Sequence, residues 1–321
     1  MTARPDAAAT SPAPPAARAY APLRPARDVF RTLRGLRQHA LEWGEASLVT
    51  PERPALVLVH GWMDVGASFQ FVVDELCRRE GPVRYCVAHD WRGFGGSEGG
   101  GVDSYTFVDY LGDLEALLDA VAPGASVDLV GHSMGGNVAM SYAGVRPARV
   151  RRLANLEGFG MPDTPSAQAP GRLAKWLDEL KTPQAMRTYA SVDEVAARLR
   201  QTNPRLDPDK AAWLAPHWSA LKDDGRWHIL GDPAHKRINP VPYRKDEVVA
   251  CWRRIAAPVL WVEGEETDVT KWWGDRYPRS EFEARLAEVP HVERLSLPAC
   301  GHMLHHDKPV EVAERLLRFL S

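Results

Sequence analysis

Ser133 stands in Gly131-His132-Ser133-Met134-Gly135-Gly136, a Gly-x-Ser-x-Gly pentapeptide with one further glycine. A serine hydroxyl is a weak nucleophile until a neighbouring base takes its proton. Small residues two positions to either side let the chain turn sharply enough to project that hydroxyl. Gly301-His302 offers a base, since an imidazole with a pKa near 6.5 accepts and returns a proton at neutral pH. His305 and His306 are its neighbours and rivals, placed at the start of the following helix. His60 and His132 support or line the site, and His89 ends a buried strand. Acids that could orient an imidazole gather in Glu263-Gly264-Glu265-Glu266-Thr267-Asp268. Another stands alone in Asn155-Leu156-Glu157-Gly158-Phe159.

These groups need a scaffold that brings distant segments together. Short aliphatic runs recur at 56–60, 83–90, 127–131, 152–156, 259–263 and 294–297. Between them lie segments with helical spacing, such as 109–122, apolar at 110, 111, 114, 117, 118 and 121. Strands alternating with helices predict an α/β fold, a mostly parallel sheet flanked by helices. Ser133 then falls on a strand-to-helix turn, at a helix N-terminus where developing negative charge is favoured. The alternation stops between 161 and 249, a stretch rich in proline with helical pieces near 172–181 and 192–201. That stretch reads as a helical cap inserted into a core of 28–160 and 250–321.

Taken together, His60-Gly61-Trp62, Asp90-x-Arg92-Gly93-x-Gly95-x-Ser97, Gly131-His132-Ser133-Met134-Gly135-Gly136 and Gly301-His302 resemble the α/β-hydrolase superfamily, in its cap-bearing branch. The string His60-Gly61-Trp62-Met63-Asp64 with the aromatic-rich cap is also similar to the serine hydrolase-like group. The resemblance spans roughly 40–321 and implies a triad in the chain order nucleophile, acid, histidine. It makes Ser133 the nucleophile, His302 the base, and the N–H groups of Trp62 and Met134 an oxyanion hole, with Gly61 allowing close approach of the backbone. For the acid, the common spacing places an aspartate where this chain has Thr267. Asp268, one residue on, is favoured, with Glu157 on the preceding strand, Glu266 and Glu265 as alternatives. The Asp90 to Ser97 turn is expected to be structural. Dehalogenases and epoxide hydrolases of this fold carry aspartate at the nucleophile position, so Ser133 points instead to esters, thioesters, lactones, amides or activated carbon–carbon bonds.

The expected reaction is cleavage of a small-molecule carboxylic ester through an acyl-enzyme, with neither a metal nor an organic cofactor. An acyltransferase or carbon–carbon hydrolase would use the same parts, and a ligand binder that has lost turnover is the alternative of another class. His132, Trp176, Trp213 and Trp218 are candidates to line the substrate site, although cap tryptophans also serve as a small core. The chain of 321 residues is 45% hydrophobic with a formal net charge of −2, so bulk charge recruits neither nucleic acid nor a membrane surface. No apolar run is long enough to span a bilayer. Cys77, Cys86, Cys251 and Cys300 form no CxxC pair and read as reduced thiols of a cytoplasmic protein. Residues 1–27, rich in alanine and proline, read as a disordered tail.

Overall fold

The computed structural model describes residues 19–80 and 84–321. In chain order its strands are β1 (Arg27–Leu33), β2 (Leu36–Trp43), β3 (Leu56–Val59), β4 (Cys86–His89), β5 (Val127–His132), β6 (Val150–Leu156), β7 (Thr188–Tyr189), β8 (Ser219–Leu221), β9 (Trp227–Ile229), β10 (Val259–Gly264) and β11 (Val292–Leu297). Its helices are α1 (Gln70–Glu80), α2 (Phe107–Val121), α3 (Met134–Val145), α4 (Ala169–Leu180), α5 (Val192–Thr202), α6 (Pro208–Trp218), α7 (Lys245–Trp252), α8 (Thr270–Trp273), α9 (Arg279–Leu286), α10 (Leu304–Asp307) and α11 (Pro309–Leu320).

The large sheet has the order β1-β2-β4-β3-β5-β6-β10-β11. It is parallel from β4 to β11 and antiparallel at the β1 and β2 edge. Every residue of β3 and β4 is buried, as central strands covered on both faces require. Alternation along β3 sends Val57 and Val59 to one face, where they pack with Leu114, Leu117 and Val138 from α2 and α3. Leu56 and Leu58 point the other way, into the cluster that holds Leu76 of α1 and Leu316 of α11. The six expected strand runs all become strands of this sheet, although the run at 83–90 contributes only Cys86–His89 and its Val83 lies outside the described residues.

The β1–β2 hairpin is an addition to the expected elements. Its turn, Arg34-Gly35, has both residues at positive φ (51° and 80°), the geometry that matches the twist of the flanking strands. The expected tail of 1–27 is corrected where it can be followed. Residues 1–18 lie outside the described residues, but Tyr20 donates to Asp74 Oδ2 at 2.6 Å, and the Leu23 and Arg24 N–H groups reach Asp74 Oδ1 at 3.0 and 3.2 Å. Arg27 already belongs to β1.

The segment 161–249 holds α4 and α5 near the two expected helical pieces, and also α6 and a three-stranded antiparallel sheet in the order β7-β9-β8. Val195, Leu199 and Leu214 of α5 and α6 join the same apolar cluster as α1. The expected boundary at 249 cuts α7, whose Cys251 carbonyl lies so close to Gly144 of α3 that a Cβ there would collide with it. Helix α7 therefore packs with the α/β core. No helix among the described residues is long and apolar enough to cross a membrane.

Candidate active site

Strand β5 ends at His132 and α3 begins at Met134, leaving Ser133 alone at the bend with φ 51° and ψ −114°. That conformation is strained for a residue with a side chain and is retained only where the surroundings fix it. Here the Ser133 N–H donates to Leu156 O at 2.8 Å, and its carbonyl accepts from Asn137 at 3.0 Å. A Cβ on Gly131 would fall 2.5 Å from Gly135 O, and one on Gly135 would strike Val59 O. The two motif glycines are thus required by the closeness of the turn.

The loop after β3 runs beside the serine. A Cβ on Gly61 would lie 3.2 Å from Ser133 Cβ. His60 fixes this stretch: its Nε2 accepts the Trp91 N–H at 3.0 Å, so its Nδ1–H donates to Gly61 O at 2.7 Å. Burial pushes the His60 pKa down, which keeps the imidazole in that neutral form. Met63, next in the loop, has positive φ (57°). Met134 is the first residue of α3, so its N–H has no partner within the helix.

His302 lies in the loop between β11 and α10. Its carbonyl accepts a hydrogen bond from His132 Nε2 at 2.8 Å, and the two rings stand 4.8 Å apart, which seats His302 against the residue preceding Ser133. Its Nδ1 is 2.6 Å from Glu157 Oε2. Glu157, at φ 59°, directly follows β6 and is 1% exposed, and its other oxygen accepts the Gly264 N–H at 2.6 Å. With Nδ1–H given to the carboxylate, Nε2 is the nitrogen left for proton transfer. No hydrogen bond from Nε2 to another described residue forms. The following Gly158 fits only without a side chain, since a Cβ would fall 2.8 Å from Asn137 N.

Asp268, the acid favoured on spacing, is corrected. Its carboxylate accepts from Thr270 N at 3.0 Å and Thr270 Oγ1 at 2.5 Å, in an exposed turn that opens α8. The loop runs on into α8, and the Asp268 carboxylate is engaged by Thr270 and not by an imidazole. Glu266 is paired with Arg205, and Glu265 is exposed. The backbone of this loop nevertheless braces the base, because the Glu266 N–H donates to Cys300 O at 2.9 Å.

The cap tryptophans divide. Trp213 is turned to Tyr20 and Phe71, with ring centroids 5.3 and 5.7 Å away, and packs the cap on the core, so the expectation that it lines the substrate site is corrected. Trp176 donates to Ser104 Oγ at 2.6 Å. Trp218 donates to Asp64 at 3.1 Å and so touches the loop that carries Trp62. Two other aromatic side chains stand exposed on the site: Trp62 itself, 55% exposed, and Trp272, 43% exposed, set edge-on to His302 at 4.5 Å. Trp272 was not expected. Its sequence signal was the Trp-Trp pair just past the acid-rich loop.

The model of the alpha/beta hydrolase fold family matches residues 54–309. The chain belongs to the α/β-hydrolase family and is a hydrolase of that kind. It is 32% identical over 309 residues to a cis-3-alkyl-4-alkyloxetan-2-one decarboxylase of Shewanella oneidensis, covering 93% of this chain and 90% of the relative. It is 29% identical over 289 residues to a 3-hydroxybutyrate-oligomer hydrolase of Cupriavidus necator, covering 85% and 89%. Among solved structures, the thioesterase domain from the curacin biosynthetic pathway superposes with a TM-score of 0.76 at 23% identity, covering 91% of this chain and 99% of that one.

Proposed function

We propose that the chain hydrolyses a small-molecule carboxylic ester, thioester or lactone through an acyl-enzyme on Ser133. The observation that carries this reading is the buried Glu157 carboxylate bonded to His302 Nδ1 beside a serine held at positive φ. Ser133 Oγ attacks the carbonyl carbon while His302 Nε2 takes its proton. The oxyanion is held by the N–H groups of Trp62 and Met134, and the proton passes to the leaving alcohol or thiol. Water, deprotonated by the same imidazole, then attacks the acyl carbon and frees Ser133. Glu157 fixes the imidazole tautomer and stabilises the imidazolium without taking the proton. Two relatives, a decarboxylase of an oxetan-2-one and a hydrolase of a hydroxybutyrate oligomer, are named for substrates with an acyl–oxygen bond, which supports this reading. No metal or organic cofactor enters any step.

Turnover of a short-chain p-nitrophenyl ester and labelling by a fluorophosphonate test the assignment. Ser133→Ala is expected to abolish both. Glu157→Gln should lower turnover roughly 10³–10⁴-fold by leaving the imidazole in the wrong tautomer, while Asp268→Asn stays within about 2-fold of wild type, as surface changes away from a site do. Equal loss in both acid variants would sink the role given to Glu157. A folded wild type that neither turns over nor labels would favour the ligand-binding alternative.

A further inference from the structure

Behind the nucleophile turn, three side chains from two segments converge without taking part in the reaction just described. Asp64 closes the loop after β3, and His305 and His306 lie on α10. They are 3%, 0% and 4% exposed. One ligand atom from each lies within 4.8 Å of the others. Asp64 Oδ1 is saturated, accepting from Val65 N at 2.9 Å, Trp218 Nε1 at 3.1 Å and the Ser68 hydroxyl. Its Oδ2 accepts no hydrogen bond and faces His305 Nε2 at 3.4 Å. Both nitrogens of His305 and both of His306 likewise make no hydrogen bond to a described residue. Phe69 stacks on His305 and Phe71 meets His306 edge-on, so apolar rings wall the cluster.

Buried polar groups left in this state are costly, and a buried carboxylate most of all. A proton on His305 would answer the Asp64 charge but leave both nitrogens of His306 unpaired. A divalent cation answers the carboxylate and both imidazoles at once. Two imidazole nitrogens and one carboxylate oxygen form a borderline donor set that suits Zn²⁺. Three donors on the far oxygen of Asp64 supply the outer hydrogen bonds that orient a ligating carboxylate.

We propose that Asp64, His305 and His306 form a structural Zn²⁺ site, with a water completing the shell. The ion staples the loop that bears Trp62 to the segment that follows His302, underneath the reacting groups. The test uses the full chain without an affinity tag, stripped with a chelator, given one equivalent of zinc chloride and passed through gel filtration. About one zinc per chain should be retained, with a melting temperature several degrees above the stripped protein. His305→Gln and His306→Gln should each lose both effects. No retained zinc in wild type, or the same retention in both variants, would overturn the site. Should either variant fail to fold, zinc X-ray absorption of the wild type decides: a shell of two imidazoles and one carboxylate supports the site, and any shell without two imidazoles overturns it. None of these readouts uses ester turnover, so the failure of one reading leaves the other standing.

Discussion

At the scale of single residues, the contact of Glu157, just past β6, with His302 Nδ1 is the observation on which the proposed chemistry rests. Glu157 and Asp268 differ in surroundings more than in chemistry: one is buried against His302, the other exposed and turned onto Thr270. Trp272 adds a second contact to the imidazole. An edge-on aromatic pair contributes about 0.5–1.5 kcal/mol, so Trp272→Ala should lower kcat/KM roughly 2–10-fold through looser placement of His302. Steady-state kinetics of that variant check it, and unchanged kcat/KM would remove Trp272 from the site. The sharp turn at Ser133 and the close approach of Gly61 were legible in the sequence because each rests on glycines in a short motif. The contact between Glu157 and His302 was not: the two lie 145 residues apart and meet only because β6, β10 and β11 are neighbours in the sheet, which no local spacing records. The clue was Asn155-Leu156-Glu157-Gly158, where a glycine must follow a residue at positive φ because α3 leaves no room.

At the scale of elements, the Asp90 to Ser97 turn joins sheet, loop and helix. Asp90 accepts from Gly66 at 2.6 Å and Gly96 at 2.9 Å and holds His39 Nδ1 at 2.7 Å. Arg92 forms a two-point pair with Asp113 of α2, Nε to Oδ2 and Nη2 to Oδ1, both at 2.5 Å, with the carboxylate fully buried. Breaking a buried pair by neutralising one partner leaves an uncompensated charge and typically costs about 3–5 kcal/mol. Asp113→Asn is therefore expected to lower the urea-unfolding free energy by about that amount. A loss under about 1 kcal/mol, as for an exposed pair, would contradict it. The strand-and-helix alternation of the core was legible because aliphatic runs and helical spacing are strong signals. The β1–β2 hairpin was missed because Arg-Gly lacks the usual turn signature. The small sheet in the cap was missed because two- and three-residue strands carry no period.

At the scale of the whole molecule, buried histidines set the response to acid. Burial pushes His89 and His235 down to about 4. His235 is held flat between Phe94 and Tyr105, each 3.8 Å away, where the cap meets the core. A histidine whose folded pKa lies below its unfolded value of 6.5 favours folding fully above pH 6.5, and that contribution is lost as pH falls towards the folded value. His39 has the opposite sign. Its burial would lower it, but Asp90 and Asp28 raise it, so its contribution is full below pH 6.5 and lost as pH rises through the raised value. Asp90 would be raised by burial but is held low by His39, and its contribution disappears only as pH falls below 3.8. Stability is thus expected to decline steadily from pH 6.5 to about 4, and His235→Gln should make that slope shallower whatever its effect at neutral pH. An unchanged slope in urea midpoints across this range would show that His235 does not titrate on unfolding.

The placement of Glu157 on β6 has one more consequence. If the carboxylate that orients His302 directly follows a central strand, the loop at 265–276 carries no chemical duty beyond bracing Cys300 and presenting Trp272 to His302. Its exposed charges can be exchanged while the contact between Glu157 and His302 stays intact. For anyone seeking a changed substrate range, that loop is the stretch of the rim to diversify first.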